Sequence, residues 1–140
     1  MNYESLVIEV ERRMPGRSWE EAERALTAVM AVLAERLDRE GRQALAAHLP
    51  DRLKELFPEK ATQAGYGLDE FLFRVERRAR VQGYAPRDLV LVVAKVLGLA
   101  LPTGELPRIL GRFPEEYRQI LLDRRPSERV ARTMKPPVRG

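Results

Sequence analysis

Three adjacent acid pairs, Glu20-Glu21, Asp69-Glu70 and Glu115-Glu116, are the first candidates for general acid and base work, because positioned carboxyl groups can trade protons with a reacting group. All three fall in the first turn of an expected helix. Negative charge there complements the helix dipole, and the structural reading is preferred for each pair. His48 is the single histidine, so any histidine-dependent mechanism must use it. A carboxylate-bridged metal site wants Glu three residues before His on a helix, and that position holds Leu45. One histidine also lacks the clustered partners that catalytic and metal sites need. Of the serines, Ser18 is placed to cap a helix, Ser5 lies near the chain start and Ser127 near its end, which leaves a serine triad without a natural nucleophile. Gly65-Tyr66-Gly67 follows no strand and begins neither a dinucleotide fingerprint nor a phosphate loop, so it reads as a flexible inter-repeat turn. No catalytic residue, metal ligand or cofactor site is predicted.

The segment with a physical argument for a partner is the C-terminal one. Residues 123–140 hold Arg124, Arg125, Arg129, Arg132, Lys135 and Arg139 against Asp123 and Glu128. That is the whole of the net charge of +4, so the remainder of the chain is neutral. If Ser127 to Met134 is helical, Arg125, Arg129 and Arg132 share a face. Guanidinium groups on such a face suit phosphate oxygens, and nucleic acid bound this way would be salt-sensitive. The plainer reading is a solvated extension, or one docked on the bundle through Val130 and Met134. It is preferred because no recognition motif accompanies the charge, and because arginine is abundant throughout, 21 residues against 4 lysines. No lipidation signal or large apolar face lies beside the basic residues, which argues against a membrane surface.

These residues need elements to position them, and composition bounds what the elements are. With 44% apolar and 33% charged residues the chain is too hydrophobic to be disordered throughout and too charged for lipid. It has no cysteine, which excludes disulfides and thiolate chemistry and fits a reducing cytoplasm. The start, Met1-Asn2-Tyr3-Glu4-Ser5, lacks the basic and apolar regions of a secretory signal. The most apolar stretch, Leu89 to Leu101, carries Lys95 and is shorter than the roughly 20 residues a membrane span needs, so it reads as a buried core helix.

An internal repeat organises the rest. Val10-Glu11-Arg12-Arg13 recurs 65 positions later as Val75-Glu76-Arg77-Arg78. After a one-residue slip, Val29, Val32, Leu33 and Leu37 align with Val93, Val96, Leu97 and Leu101 at a spacing of 64. The same spacing carries Leu49-Pro50-Asp51 onto Phe113-Pro114-Glu115, and Leu53, Leu56 and Phe57 onto Tyr117, Ile120 and Leu121. Chance does not hold one register through four segments.

Each copy reads as four helices. Ala22, Ala25, Leu26, Val29, Met30, Leu33 and Leu37 form one helical stripe that must be buried. Ser18-Trp19-Glu20-Glu21 starts that helix as a capping box. Pro86 takes the first-turn position of its counterpart, where a missing donor costs nothing. Pro50 and Pro114 are expected to open the last helices in the same way, and Asp38 and Thr103 to cap the short third ones. The first helices lie around Leu6 to Val10 and Phe71 to Val75. Gly98 and Gly111 fall inside predicted helices, where glycine costs up to about 1 kcal/mol against alanine. A close helix contact explains both, and tolerated weak spots explain them nearly as well. The prediction is an all-α fold of eight helices without sheet, made of repeats 3–57 and 68–122 joined by a linker, 58–67, and followed by a basic tail, 123–140. A unit of about 60 residues is marginal alone, so the copies are expected to pack on each other as one pseudo-twofold bundle.

Leu68-Asp69-Glu70-Phe71, Arg74-Val75, Gly104-Glu105-Leu106 and Phe113-Pro114-Glu115-Glu116-Tyr117 resemble the bacterial family known as domain of unknown function 2267, and Leu49-Pro50 to Phe57 looks like its earlier repeat. The resemblance covers about Tyr3 to Leu122 and departs from the family in a linker without its frequent tryptophan. It implies a cytoplasmic helical protein and brings no established activity. The function expected from the sequence is a non-catalytic module for protein–protein interaction or self-association, using the groove between repeats or an exposed helix face. The alternative is a nucleic-acid-associated protein using the tail. A second alternative is an enzyme or small-ligand binder with an enclosed polar pocket between the repeats, its substrate held by core arginines such as Arg74 or Arg112.

Overall fold

Among the described residues, eight α-helices follow one another in the order α1 (Tyr3–Arg12), α2 (Trp19–Arg36), α3 (Arg39–Ala46), α4 (Asp51–Lys54), α5 (Leu68–Ala79), α6 (Pro86–Ala100), α7 (Glu105–Ile109) and α8 (Glu115–Leu121), with a 3-10 turn at Leu110–Arg112. This computed structural model describes residues 1–57 and 65–122, with only the backbone at Arg112. No strand occurs among the described residues, and none of their helices is long and apolar enough to cross a membrane.

The two long helices carry the core. On α2 the stripe from Ala22 through Leu33 is buried, and on α6 Leu89 through Ala94, Val96 and Leu97 are buried. α1 packs on α2, α5 packs on α6, and each first helix also crosses to the other long one. Leu6 and Val10 of α1 and Phe71 and Val75 of α5 thus enter one continuous apolar cluster with both long helices. Arg24 of α2 reinforces the crossing by donating from Nε to the carbonyl of Ala79 (2.9 Å) and from Nη2 to that of Arg80 (3.2 Å) at the end of α5. These carbonyls lack helical partners.

Helix starts follow the sequence signals at three places. The Ser18 hydroxyl accepts from the Glu21 amide (3.1 Å) while the Glu21 carboxylate accepts from the Ser18 amide (3.1 Å). Asp38 accepts from the Gly41 amide (2.7 Å), and Pro86 sits in the first turn of α6. A Cβ at Gly41 would come within 2.9 Å of Leu37 Cδ2, which would have to give way.

Elsewhere the expectations shift. Pro50 and Pro114 are N-caps, one residue before the first helical position. α7 is capped by Gly104 in a left-handed conformation (φ 83°) and not by Thr103. The expected helix through Gly111 stops at Ile109 and tightens into the 3-10 turn. A Cβ at Gly98 or Gly111 would meet nothing within 4 Å. The close-contact explanation for these glycines is therefore set aside. At Gly98 the missing side chain leaves open space beside α6.

Candidate functional site

The acid pairs resolve as helix-start residues. Glu21 is engaged in the capping box, and the Ser18 amide, aided by Arg17, holds its carboxyl below the usual range. Glu70 pairs with Arg74 (3.0 Å) within the first two turns of α5, and Glu115 pairs with Arg118. His48 is exposed in the turn after α3. Among the described residues no three His, Cys, Asp or Glu side chains gather where they could hold a metal ion. Arg124, Arg125, Arg129, Arg132, Lys135 and Arg139 lie outside the described residues.

Arg74 is not a core arginine. Its side chain is 40% exposed, bridges Glu70 and Glu35 (3.0 Å each), and lies over the Tyr66 ring at 4.3 Å. Arg78 binds the other oxygen of Glu35 at 2.7 Å. These ion pairs join α5 to α2.

Among the described residues the buried arginines are Arg36 and Arg42. Arg42 donates to the Leu37 carbonyl at 2.6 Å and so closes the end of α2. Arg36 ends α2 and donates from Nε to the Tyr66 carbonyl (2.8 Å) and to the Tyr117 hydroxyl (3.3 Å). Its guanidinium lies 5.0 Å from the Tyr117 ring centroid and 5.3 Å from that of Phe113, within cation–π range. The Tyr117 hydroxyl in turn donates to the same Tyr66 carbonyl at 2.7 Å. Its ring meets Phe71 and Phe113 edge-on at 5.3 and 5.2 Å. Burial raises the Tyr117 hydroxyl pKa, and burial with the Glu35 carboxylate beside it pushes Tyr66 up to about 12. Both phenols stay protonated donors at neutral pH. The Gly65-Tyr66-Gly67 turn is accordingly pinned at its central carbonyl, where the sequence suggests flexibility.

This node fixes the position of α8. Phe113 and Tyr117 lock its first turns against α2 and α5, which lays Ile120 and Leu121 against α6. Beyond them the packing opens. A groove of about 590 Å³ runs between the end of α6 (Ala94, Lys95 and Gly98), the turn Pro102–Thr103–Gly104, Leu106 and Pro107 of α7, and Leu121 and Leu122. Next in sequence to Gly98, the Leu99 side chain is 58% exposed. The apolar stretch read as a buried core helix is buried from Leu89 to Leu97, with Lys95 partly so, and is open at Gly98 and Leu99.

A smaller hollow of about 230 Å³ lies between α3 and α7, lined by Asp38, Glu40, Gly41, Ala44, Arg108 and Ile109. The larger groove carries Lys95 and Thr103 as polar side chains among apolar ones.

The residues that build the node and the α6 and α7 walls of the groove lie within a single family match. The family described as "Uncharacterized conserved protein (DUF2267)" matches residues 3–120. The chain belongs to this family. Among curated proteins, none matches the chain. The DUF2267 match takes in Arg36, Tyr66, Phe71, Phe113 and Tyr117 and stops just short of Leu121 and Leu122 at the groove's edge.

Proposed function

We propose that this chain is a non-catalytic helical interaction module made by tandem duplication of a four-helix unit. In this reading the groove beside α6 seats an apolar segment of a protein partner or of a second copy. Support for the duplication comes from position-by-position burial. Leu6 and Phe71, Val10 and Val75, Val29 and Val93, Leu33 and Leu97, and Leu53 and Tyr117 are buried pairs at the repeat spacing. Support for a pseudo-twofold relation comes from counterparts that touch one another: α2 lies on α6 and α3 on α7, and the loop after α1 meets the loop after α5 through Arg17 and Gln82 (2.6 Å). Like-to-like contact belongs to a twofold arrangement, whereas stacked translated repeats bring unlike faces together.

The observation that carries the interaction reading is the open groove beside α6, where Leu106, Pro107, Leu121 and Leu122 line the space left by Gly98. An apolar helix or strand laid into such a groove gains by removing both surfaces from water. Affinity purification of the tagged chain from its own cells, beside a Gly98→Trp variant that fills the groove, tests this. The expected result is a partner, or untagged copies of the chain, held by the native protein and lost from the variant. The same proteins held by both forms contradict it. Fluorescence anisotropy with labelled DNA across a salt series separates the nucleic-acid alternative, for which the interaction reading expects a flat titration at low salt.

A further inference from the structure

We infer that the exposed face of α5 is a self-complementary docking surface, on which a second copy of this chain lies antiparallel with Phe73 against Phe73 and Asp69 against Arg77 in both directions. The inference goes beyond the groove reading and does not depend on it.

The two first helices carry the same surface pattern and differ in how its charges are met. At the spacing of 65, Glu4, Ile8 and Arg12 of α1 correspond to Asp69, Phe73 and Arg77 of α5. Each trio sits at i, i+4 and i+8, so an acid, an apolar side chain and an arginine follow one another along one helical face. All six residues are exposed, and Ile8 and Phe73 are two of the four large apolar side chains exposed among the described residues. On α1 the arginine is answered within the helix, since Arg12 pairs with Glu9 at 2.9 Å. On α5 the place of Glu9 is taken by Arg74, itself engaged with Glu70 and Glu35 at 3.0 Å each. Arg77 therefore has no acid a turn away on either side. Its guanidinium lies 5.7 Å from the Phe73 ring centroid, and neither Arg77 nor Asp69 makes an ion pair among the described residues.

Charge and geometry then select the occupant. Asp69 and Arg77 stand about 12 Å apart along the helix axis, too far to neutralise each other. A second α5 laid antiparallel about Phe73 brings its Arg77 to Asp69 and its Asp69 to Arg77, the reciprocal pairing of a twofold interface. The two Phe73 rings meet between the ion pairs and leave water together. Glu76 falls opposite Glu70, whose charge Arg74 already meets. A parallel copy would set Asp69 on Asp69 and Arg77 on Arg77, so the charges favour one direction. One aromatic contact and two rim ion pairs make a weak dimer, because exposed ion pairs contribute little and are screened by salt.

Analytical ultracentrifugation of the full-length protein at low salt, over a concentration series, tests this with charge reversals at the two exposed positions. The native chain is expected to dimerise as concentration rises, and added salt to weaken the dimer. Asp69→Arg alone and Arg77→Asp alone each set like charges against one another, and each is expected to weaken dimerisation by about tenfold or more. An equimolar mixture of the two variants restores both opposite-charge contacts and is expected to dimerise as the native chain does, as is the double variant carrying both reversals. A native chain that stays monomeric, single reversals without effect, or a mixture no better than its components would overturn the inference. A dimer lost from Gly98→Trp and indifferent to the reversals would also overturn it, since the second copy would then sit in the groove. A dimer this weak dissociates at the dilution of affinity capture, so the groove reading stands or fails on its own test.

Discussion

The Arg17 guanidinium donates a 2.6 Å hydrogen bond to the backbone carbonyl of Gln82, 65 positions along the chain in the loop between α5 and α6. The same guanidinium pairs with Glu21 at 3.1 Å and lies 5.6 Å from the Tyr84 ring centroid. It therefore ties the two inter-helix loops to each other and to the start of α2. Replacing Arg17 by Met keeps the stem and removes all three polar contacts. The expected loss is about 1–2 kcal/mol, a charged hydrogen bond together with a partly exposed cation–π contact. Urea denaturation checks it, and an unchanged midpoint would show that the loop contact contributes nothing.

Ser18→Ala removes one half of the capping box and is expected to cost about 1 kcal/mol. Glu21→Gln keeps the shape and weakens the charge. Since the two side chains serve one reciprocal motif, the double variant should lose less than the sum of the singles. Glu21 is held below the ordinary carboxylate range, chiefly by the Ser18 amide. Its contribution is thus complete above that range and fades as pH falls through the lowered value. Thermal midpoints of Glu21→Gln and the native chain should converge as the solution is acidified.

Alkaline pH probes the Arg36 node. The Tyr66 hydroxyl is raised to about 12, mainly by burial, and Tyr117 is raised by burial as well. A raised pKa means the folded state holds the proton more tightly. The associated stability is therefore complete below the ordinary phenol value near 10 and is lost as pH climbs through the folded values. Ultraviolet titration of phenolate formation, followed beside circular dichroism, should show the last tyrosines ionising together with loss of helix. Full ionisation with the helices intact contradicts the node as described.

Tyr117→Phe deletes the donor of a 2.7 Å bond to the Tyr66 carbonyl, whereas Tyr66→Phe deletes only a 3.4 Å bond to Val32. The first is expected to cost about 1 kcal/mol and the second distinctly less, because net hydrogen-bond worth falls with poor geometry. Phe71→Ala, which empties a fully buried site against Tyr117, should cost about 3–5 kcal/mol. Guanidinium titrations rank the three, and a reversed order for the two tyrosines would contradict the geometry.

The fold was legible where a residue's type dictates its local geometry. The stripe from Ala22 to Leu37, the Ser18 box and Pro86 each point to one helix in one place, and each agrees with the element found. Thr103 was not legible as a non-cap, because the competing left-handed turn at Gly104 is set by how the chain enters α7. Arg36 carried a usable signal: it stands three residues after Leu33 on the buried stripe, a place where a charged residue must find partners. Those partners, the Tyr66 carbonyl and the Tyr117 ring, come from 30 and 81 positions away, which no local pattern reports. Arg42 likewise falls at the repeat position of Leu106, a buried site. The groove escaped notice because Leu89 to Leu101 reads as uniformly apolar, and periodicity does not say which turn of such a helix lacks a neighbour.

The central claim is that both halves share one core, and it is tested by reading the second half from the first. Trp19, the single tryptophan, sits at the start of α2, while Leu97 is fully buried on α6. Urea unfolding followed by Trp19 fluorescence and by circular dichroism, in the native chain and in Leu97→Ala, is the measurement. One coincident transition is predicted, displaced equally in both signals by the 2–5 kcal/mol or so that such a cavity costs. A tryptophan transition that stays in place while the helical signal splits or shifts would contradict a shared core.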